Sequence, residues 1–142
     1  MGLTRDDLRA DCSRCVGLCC VVPAFSQSAD FAINKPAGQP CPNLRPDFRC
    51  GIHSELRQHG FTGCTVYDCF GAGQRATRDT FETLKPIHEL LWYVIDATTW
   101  TTRPDLRAAL TECETELQDY DTCISTYCSD HTERCADTFG PF

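Results

Sequence analysis

The sequence predicts a mainly α protein with long irregular loops, in which a metal-organised, cysteine-rich region packs on an antiparallel helical hairpin. Three observations predict it. Eight of the twelve cysteines fall between Cys12 and Cys69. Pro36, Pro40, Pro42 and Pro46, with Gly38, preclude a long helix or a central strand between Ser26 and Phe48. Apolar residues then recur at helical spacing from Pro86 onward. The 142 residues suit one compact domain with a real core, divided into a cysteine-cluster metal-binding region over 1–80 and a helical hairpin over 81–142.

Thr4 reads as an N-cap with Asp7 as an imperfect capping box, opening a short helix around Arg5 to Asp11 with Leu3, Leu8 and Val16 as its apolar points. That helix would deliver Cys12 and Cys15 at its end. Gly17 breaks it, and Cys19-Cys20 follow in a turn. Val21 to Phe25 reads as a short extended segment that Pro23 confines to an edge or loop. A loop as long as 26–48 needs pinning, which Cys41 and Cys50 would supply. Ser54 to Gln58 suits a helical turn or two. Gly60, Gly63, Gly71 and Gly73 bracket Cys64 and Cys69 and let the backbone approach a cluster closely.

Pro86 suits the first position of a helix whose apolar points are Ile87, Leu90, Leu91, Val94 and Ile95. Pro104 opens another. There Leu106, Leu110, Cys113, Leu117, Tyr120 and Ile124 alternate steps of four and three, and Tyr127 or Cys128, His131 and Cys135 continue the register toward Asp137.

Cys12-x-x-Cys15-x-x-x-Cys19-Cys20 places four sulfurs within nine residues. Thiolates are soft ligands that suit zinc, iron or Cu(I). Adjacent side chains diverge, so Cys19 and Cys20 are expected to serve different parts of a polynuclear centre, with Cys12, Cys15, Cys19, Cys20, Cys41, Cys50, Cys64 and Cys69 completing two four-sulfur sites. The cofactor expected is an iron–sulfur cluster ahead of Zn2+. Two other chemistries stand beside this: a framework of four disulfides, and thiol redox at Cys12-x-x-Cys15, which lacks a surrounding βαβ pattern. His53 is a candidate ligand or hydrogen-bond donor, and equally a surface histidine; His88 reads as surface or core. Cys113, Cys123, Cys128, His131 and Cys135 form a second set, read either as a metal site on one helix face or as small apolar residues in the seam.

The net charge of −7 argues against non-specific nucleic-acid binding. Acidity concentrates after Thr101, with nine Asp and Glu against three Arg, and marks the C-terminal helix as a surface for a protein partner. No stretch approaches the about 20 apolar residues of a membrane span. The acidic N-terminus has no leader pattern, so a cytoplasmic location is expected, where thiols stay reduced. There is no Gly-x-x-x-x-Gly-Lys phosphate loop and no Ser/His/Asp arrangement stands out. The expected function is a metal-binding protein carrying an iron–sulfur cluster or polynuclear thiolate centre, structural or redox-responsive. Its alternatives are a metal-dependent enzyme with an open coordination site acting on a small molecule or protein side chain, and a structural zinc-binding interaction module.

Cys12-x2-Cys15-x3-Cys19-Cys20, Cys41-Pro-Asn-Leu44, Phe48-Arg-Cys50-Gly-Ile-His53 and Gly63-Cys64-x-x-Tyr67-x-Cys69 together resemble the CxxCxxCC (YkgJ-type) zinc- or iron-chelating cysteine-cluster family. That family includes flagellin lysine methylases. Over residues 12–75 the chain is still more similar to the cysteine-rich N-terminal module of actinobacterial pentapeptide-repeat proteins. The resemblance implies a cluster on the eight cysteines and implies no reaction. The Cys15–Cys19 spacing is one residue longer than in the YkgJ-type motif. Ala29-Asp30-Phe31-Ala32-Ile33 matches a single repeat unit with no neighbouring copies.

Overall fold

The computed structural model describes residues 2–127. Among them are five α-helices: α1 (Leu18–Val21), α2 (Thr62–Val66), α3 (Ala72–Arg75), α4 (Phe81–Trp100) and α5 (Pro104–Tyr127). The described residues contain no strand, only two isolated antiparallel bridges, Phe25 with Lys35 and Leu44 with Cys50. The protein is therefore mainly α with long irregular loops.

Local chemistry explains the start of the chain. The Thr4 N–H and hydroxyl both donate to Asp7 Oδ2, at 2.8 and 2.6 Å. This expected cap closes only turns; residues 5–11 form no helix, and Val16 is half exposed. Without an apolar face to bury, so short a segment does not sustain a helix. What holds it is tertiary. Gln118 on α5 pairs reciprocally with the Leu3 backbone, and Arg5 bridges to Asp96 at 2.9 Å while its guanidinium lies 3.0 Å from the centre of the Trp92 ring. Gly17, at φ +75°, turns the chain into α1, so Cys19 and Cys20 sit in a helical turn rather than an irregular one.

Helix α4 starts at Phe81, five residues ahead of the expected Pro86, which is thus an interior residue. Phe81, Leu84, His88 and Leu91 form its buried face at steps of three and four. An interior proline costs about 3 kcal/mol. Full burial of Phe81 and Leu84, each about 1.5–3 kcal/mol, offsets that. Pro104 does open α5, after a three-residue link from Thr101 to Arg103. The start of α4 meets the end of α5: His88 faces Asp121, and Phe81 and Leu84 cluster with Ile124. The two helices are an antiparallel hairpin. The α5 seam is engaged unevenly: Ile124 is buried and Leu110, Leu117 and Tyr120 are half-buried, whereas Leu106 and Cys113 are exposed. The continuation through Cys128, His131 and Cys135 lies outside the described residues.

Two apolar clusters are found among the described residues. The first joins Leu18 and Val22, Ala72, Phe81 and Leu84, and Ile124, so it crosses the expected boundary at residue 80. The second contains Cys41, Leu56 and Phe61, rimmed by Phe25, Phe31, Ile33 and Ile52. It has no long element behind it. Phe25 and Phe31 stack at 4.5 Å, with Phe61 edge-on to Phe25.

Candidate metal centre

The eight cysteines from Cys12 to Cys69 are all free thiols, and they divide between the two clusters. Cys15, Cys19 and Cys69 pack against the first. Cys20, Cys50 and Cys64 pack against the second, of which Cys41 is itself a buried member. The division falls between neighbours: Cys19 packs against the first cluster and Cys20 against the second, with Cys19 also within electrostatic reach of Cys64. Cys12 projects from a short 3-10 turn, Cys12–Arg14, within electrostatic reach of Cys19, Cys69 and Cys15. The first set is therefore Cys12, Cys15, Cys19 and Cys69. The second is Cys20, Cys41, Cys50 and Cys64. Among the described residues, no three His, Cys, Asp or Glu side chains already close on a point where a metal ion would sit.

Electrostatics makes four of these thiols, Cys12, Cys19, Cys64 and Cys69, reluctant to ionise alone. The hydrogen bond with Cys20, then burial, pushes the Cys19 thiol far up. Burial first, and neighbouring thiols second, raise Cys12 and Cys64. Burial also raises Cys69, but the N–H groups of Gly73 and Gly71 donate to its sulfur and work the other way. Gly73 fits closely between sulfurs: a Cβ there would stand 2.9 Å from Cys15 Sγ and 3.4 Å from Cys69 Sγ. The donor chemistry and this glycine cradle fit a thiolate-bound metal, which would supply the positive charge that the thiols lack.

Each set has a buried polar support that sequence reasoning missed. Behind the first set, the carbonyl of Phe70, the residue after Cys69, lies 2.7 Å from His88 Nδ1. His88 Nε2 lies 2.8 Å from Asp121 Oδ1. Arg75 binds both Asp121 oxygens, at 2.9 and 2.5 Å. A carbonyl and a carboxylate only accept, so each ring nitrogen of His88 faces an acceptor. Burial works to raise the Asp121 pKa, but hydrogen bonds from His88 and Arg75 outweigh it and hold it below the ordinary carboxylate value. The network grips a strained point, since Phe70 has φ +49°. Its N–H is also tied to Asp68 Oδ1, and its ring packs on Trp92 and Tyr93.

Behind the second set lies Lys35, a buried residue at 4% exposure. Its ammonium donates to the carbonyls of Val21, Pro36 and Gln39 at 2.9, 3.2 and 2.8 Å, using all three donors. Burial lowers its pKa, while Cys41 and Cys20 work to raise it. Together with the Cys41 N–H to Cys20 carbonyl bond (2.8 Å), this pins the proline-rich loop. The pins are thus a buried lysine and an aromatic stack as well as the expected Cys41.

The other candidates separate clearly. His53 is exposed. His88 is wholly buried and serves the network above. Cys113 is exposed rather than a buried seam residue, because this part of α5 stands clear of the core. Cys123 is disulfide-bonded. Cys128, His131 and Cys135 lie outside the described residues. Lys35 and Asp121 carry no local signal, since Asn34 precedes the one and Asp119 and Thr122 stand on either side of the other, and charged residues are usually exposed.

The chain is 42% identical over 110 residues to a protein of Bacillus subtilis (strain 168) named uncharacterized protein YybG. The match takes in 64% of this chain and 39% of that relative, so the chain spans well under half its length. No family model and no solved structure matches the chain. No helix among the described residues is long and apolar enough to cross a membrane.

Proposed function

We propose that this protein binds a metal centre through its eight N-terminal cysteines, as an iron–sulfur cluster or a polynuclear thiolate site, in a structural or redox-responsive role. One observation carries the reading. Eight free thiols gather in two sets of four that touch at Cys19-Cys20. Half-buried thiols with raised pKa, as at Cys19, Cys64 and Cys69, are poor isolated nucleophiles, and thiols gathered in fours are good ligands for a soft cation, which displaces their protons on binding. Cys12, Cys15, Cys19 and Cys69 would hold one part of the centre, and Cys20, Cys41, Cys50 and Cys64 the other. The metal would fasten loops that have little secondary structure of their own. Zinc in place of iron would leave the scaffold role and remove the redox one.

The test is metal and acid-labile sulfide analysis, with a UV–visible spectrum, on protein purified without oxygen. Iron, sulfide and a broad thiolate-to-iron absorption support the cluster. Zinc without colour supports the structural site. Metal-free protein with all eight thiols free after denaturation overturns the reading. Cys19→Ser and Cys20→Ser should each lower metal content, and unchanged stoichiometry in both would remove them as ligands.

A further inference from the structure

The two sulfur sets differ in what surrounds them. The second set has a buried member and a buried cation: Cys41 is buried at 8% exposure, Cys20, Cys50 and Cys64 are half-buried, Phe25, Phe31 and Phe61 pack around them, and the Lys35 ammonium lies within electrostatic reach of Cys20 and Cys41. Four thiolates around a divalent cation carry two surplus negative charges, which are costly to bury without a partner. Lys35 supplies one opposing charge at that place. Because all its protons are held by carbonyls, that charge cannot swing away to solvent.

The first set lacks this burial at one corner. Cys12 is exposed on its turn, which is held by Asp11 accepting from the Ser13 N–H at 3.0 Å and from Arg14 Nε at 2.8 Å, and by the Asp11 N–H donating to Gln74 Oε1 on α3 at 3.1 Å. The cationic side chain that eases the Cys12 charge is Arg49, itself exposed and so screened by water. Cys15, Cys19 and Cys69 are by contrast seated on the aliphatic core. Three ligands are thus fixed and the fourth sits on a surface turn.

We infer that the two sets are unequal metal sites: Cys20, Cys41, Cys50 and Cys64, set against the buried Lys35 ammonium, hold a permanent metal, whereas Cys12, Cys15, Cys19 and Cys69 form an exchangeable site for a soft tetrahedral cation, with Cys12 as the ligand that lets go. This rests on the metal reading above and adds a division of labour to it. The exchangeable site is where a metal supply or a chelating partner would meet the protein.

Co2+ is the probe, because thiolate-to-cobalt absorption counts sulfur-bound metal directly. The 142-residue chain is loaded with Co2+ without oxygen and challenged with EDTA. Cobalt should leave in two phases. Cys12→Ser should abolish the fast phase and leave the slow one at wild-type amplitude. Lys35→Met should speed the slow phase by about ten- to a hundredfold, the range seen when a supporting group is removed from a metal site. A single phase in wild-type protein overturns the inference, as does loss of the slow phase in Cys12→Ser. So does an unchanged slow phase in a folded Lys35→Met. If Lys35→Met does not fold, the Cys12→Ser result decides, since that turn is exposed. A protein that develops no thiolate–cobalt absorption at all sinks the metal reading itself, a different result from two equal sites.

Discussion

The two halves of the cysteine-rich region reach order by different means. Around the first sulfur set, helices do the work. Aliphatic side chains from α1, α3, α4 and α5 converge, and the His88–Asp121–Arg75 network ties the Cys69 loop to the hairpin. Around the second set, no long helix stands behind the loops. Three buried residues, an aromatic stack and one lysine hold some forty residues of irregular chain. Backbone order costs about 1–2 kcal/mol per residue, and so small a cluster offsets little of it. The comparison teaches that the first half is ordered by helix packing, whereas the second half has little packing of its own, so that under the proposed metal reading it is the half a metal would complete.

The largest expected effect follows from that contrast. Stripping all metal should release hydrogen-exchange protection across the Lys35 loop and the Cys41–Cys64 segment while α4 and α5 keep theirs. Equal loss in both regions would erase the distinction. Asp121→Ala comes next. It leaves His88 and Arg75 without their shared acceptor at a fully buried site, for about 3–5 kcal/mol, read as a fall in Tm that bound metal does not rescue. The same carboxylate gives a pH dependence. Its folded pKa lies below the unfolded value of about 3.9. Its contribution is therefore present above that pH and is lost as pH falls through the lowered folded value. The stability gap between wild type and Asp121→Asn should be full at pH 6 and narrow on acidification below about pH 4; a gap that is flat with pH would remove the charged role.

Smaller effects sharpen the boundary between the sets. Gly73→Ala forces a methyl against Cys15 Sγ. It should lower occupancy of the first set and leave the second intact, by metal analysis of the purified variant. Losing metal from both would show that the sets are coupled through Cys19-Cys20. The smallest change expected is Cys113→Ala. The residue is exposed on α5, so stability should move by no more than about 0.5 kcal/mol and metal content not at all.

Much of the first tier was legible in the sequence because it is local. The Thr4–Asp7 cap, the proline opening of α5 and the exclusion of helix from residues 26–48 each depend on neighbours within a turn. The expectation of a helix over 5–11 failed because a cap without an apolar face has nothing to propagate. The late start assigned to α4 failed because Pro86 was weighed by its backbone preference alone. The inward pull of Phe81 and Leu84, which reverses that preference, exists only once the core is assembled. Cys113 misled for a related reason: a regular seam says which residues share a face, not how far a partner extends along it.

By itself the sequence determined a mainly helical chain with a proline-broken loop, a mass of thiols in its first half, and a vicinal cysteine pair whose members must diverge. Those are properties of spacing and residue type, set within a few positions along the chain. Only the tertiary structure decided which four sulfurs stand on which core, that Lys35 is sealed beside one set, and that His88, Asp121 and Arg75 reach across from the hairpin to hold the other. The reason is physical. Burial and charge pairing join residues far apart in sequence, such as Asp121 and Arg75, and no local preference of either residue encodes the meeting.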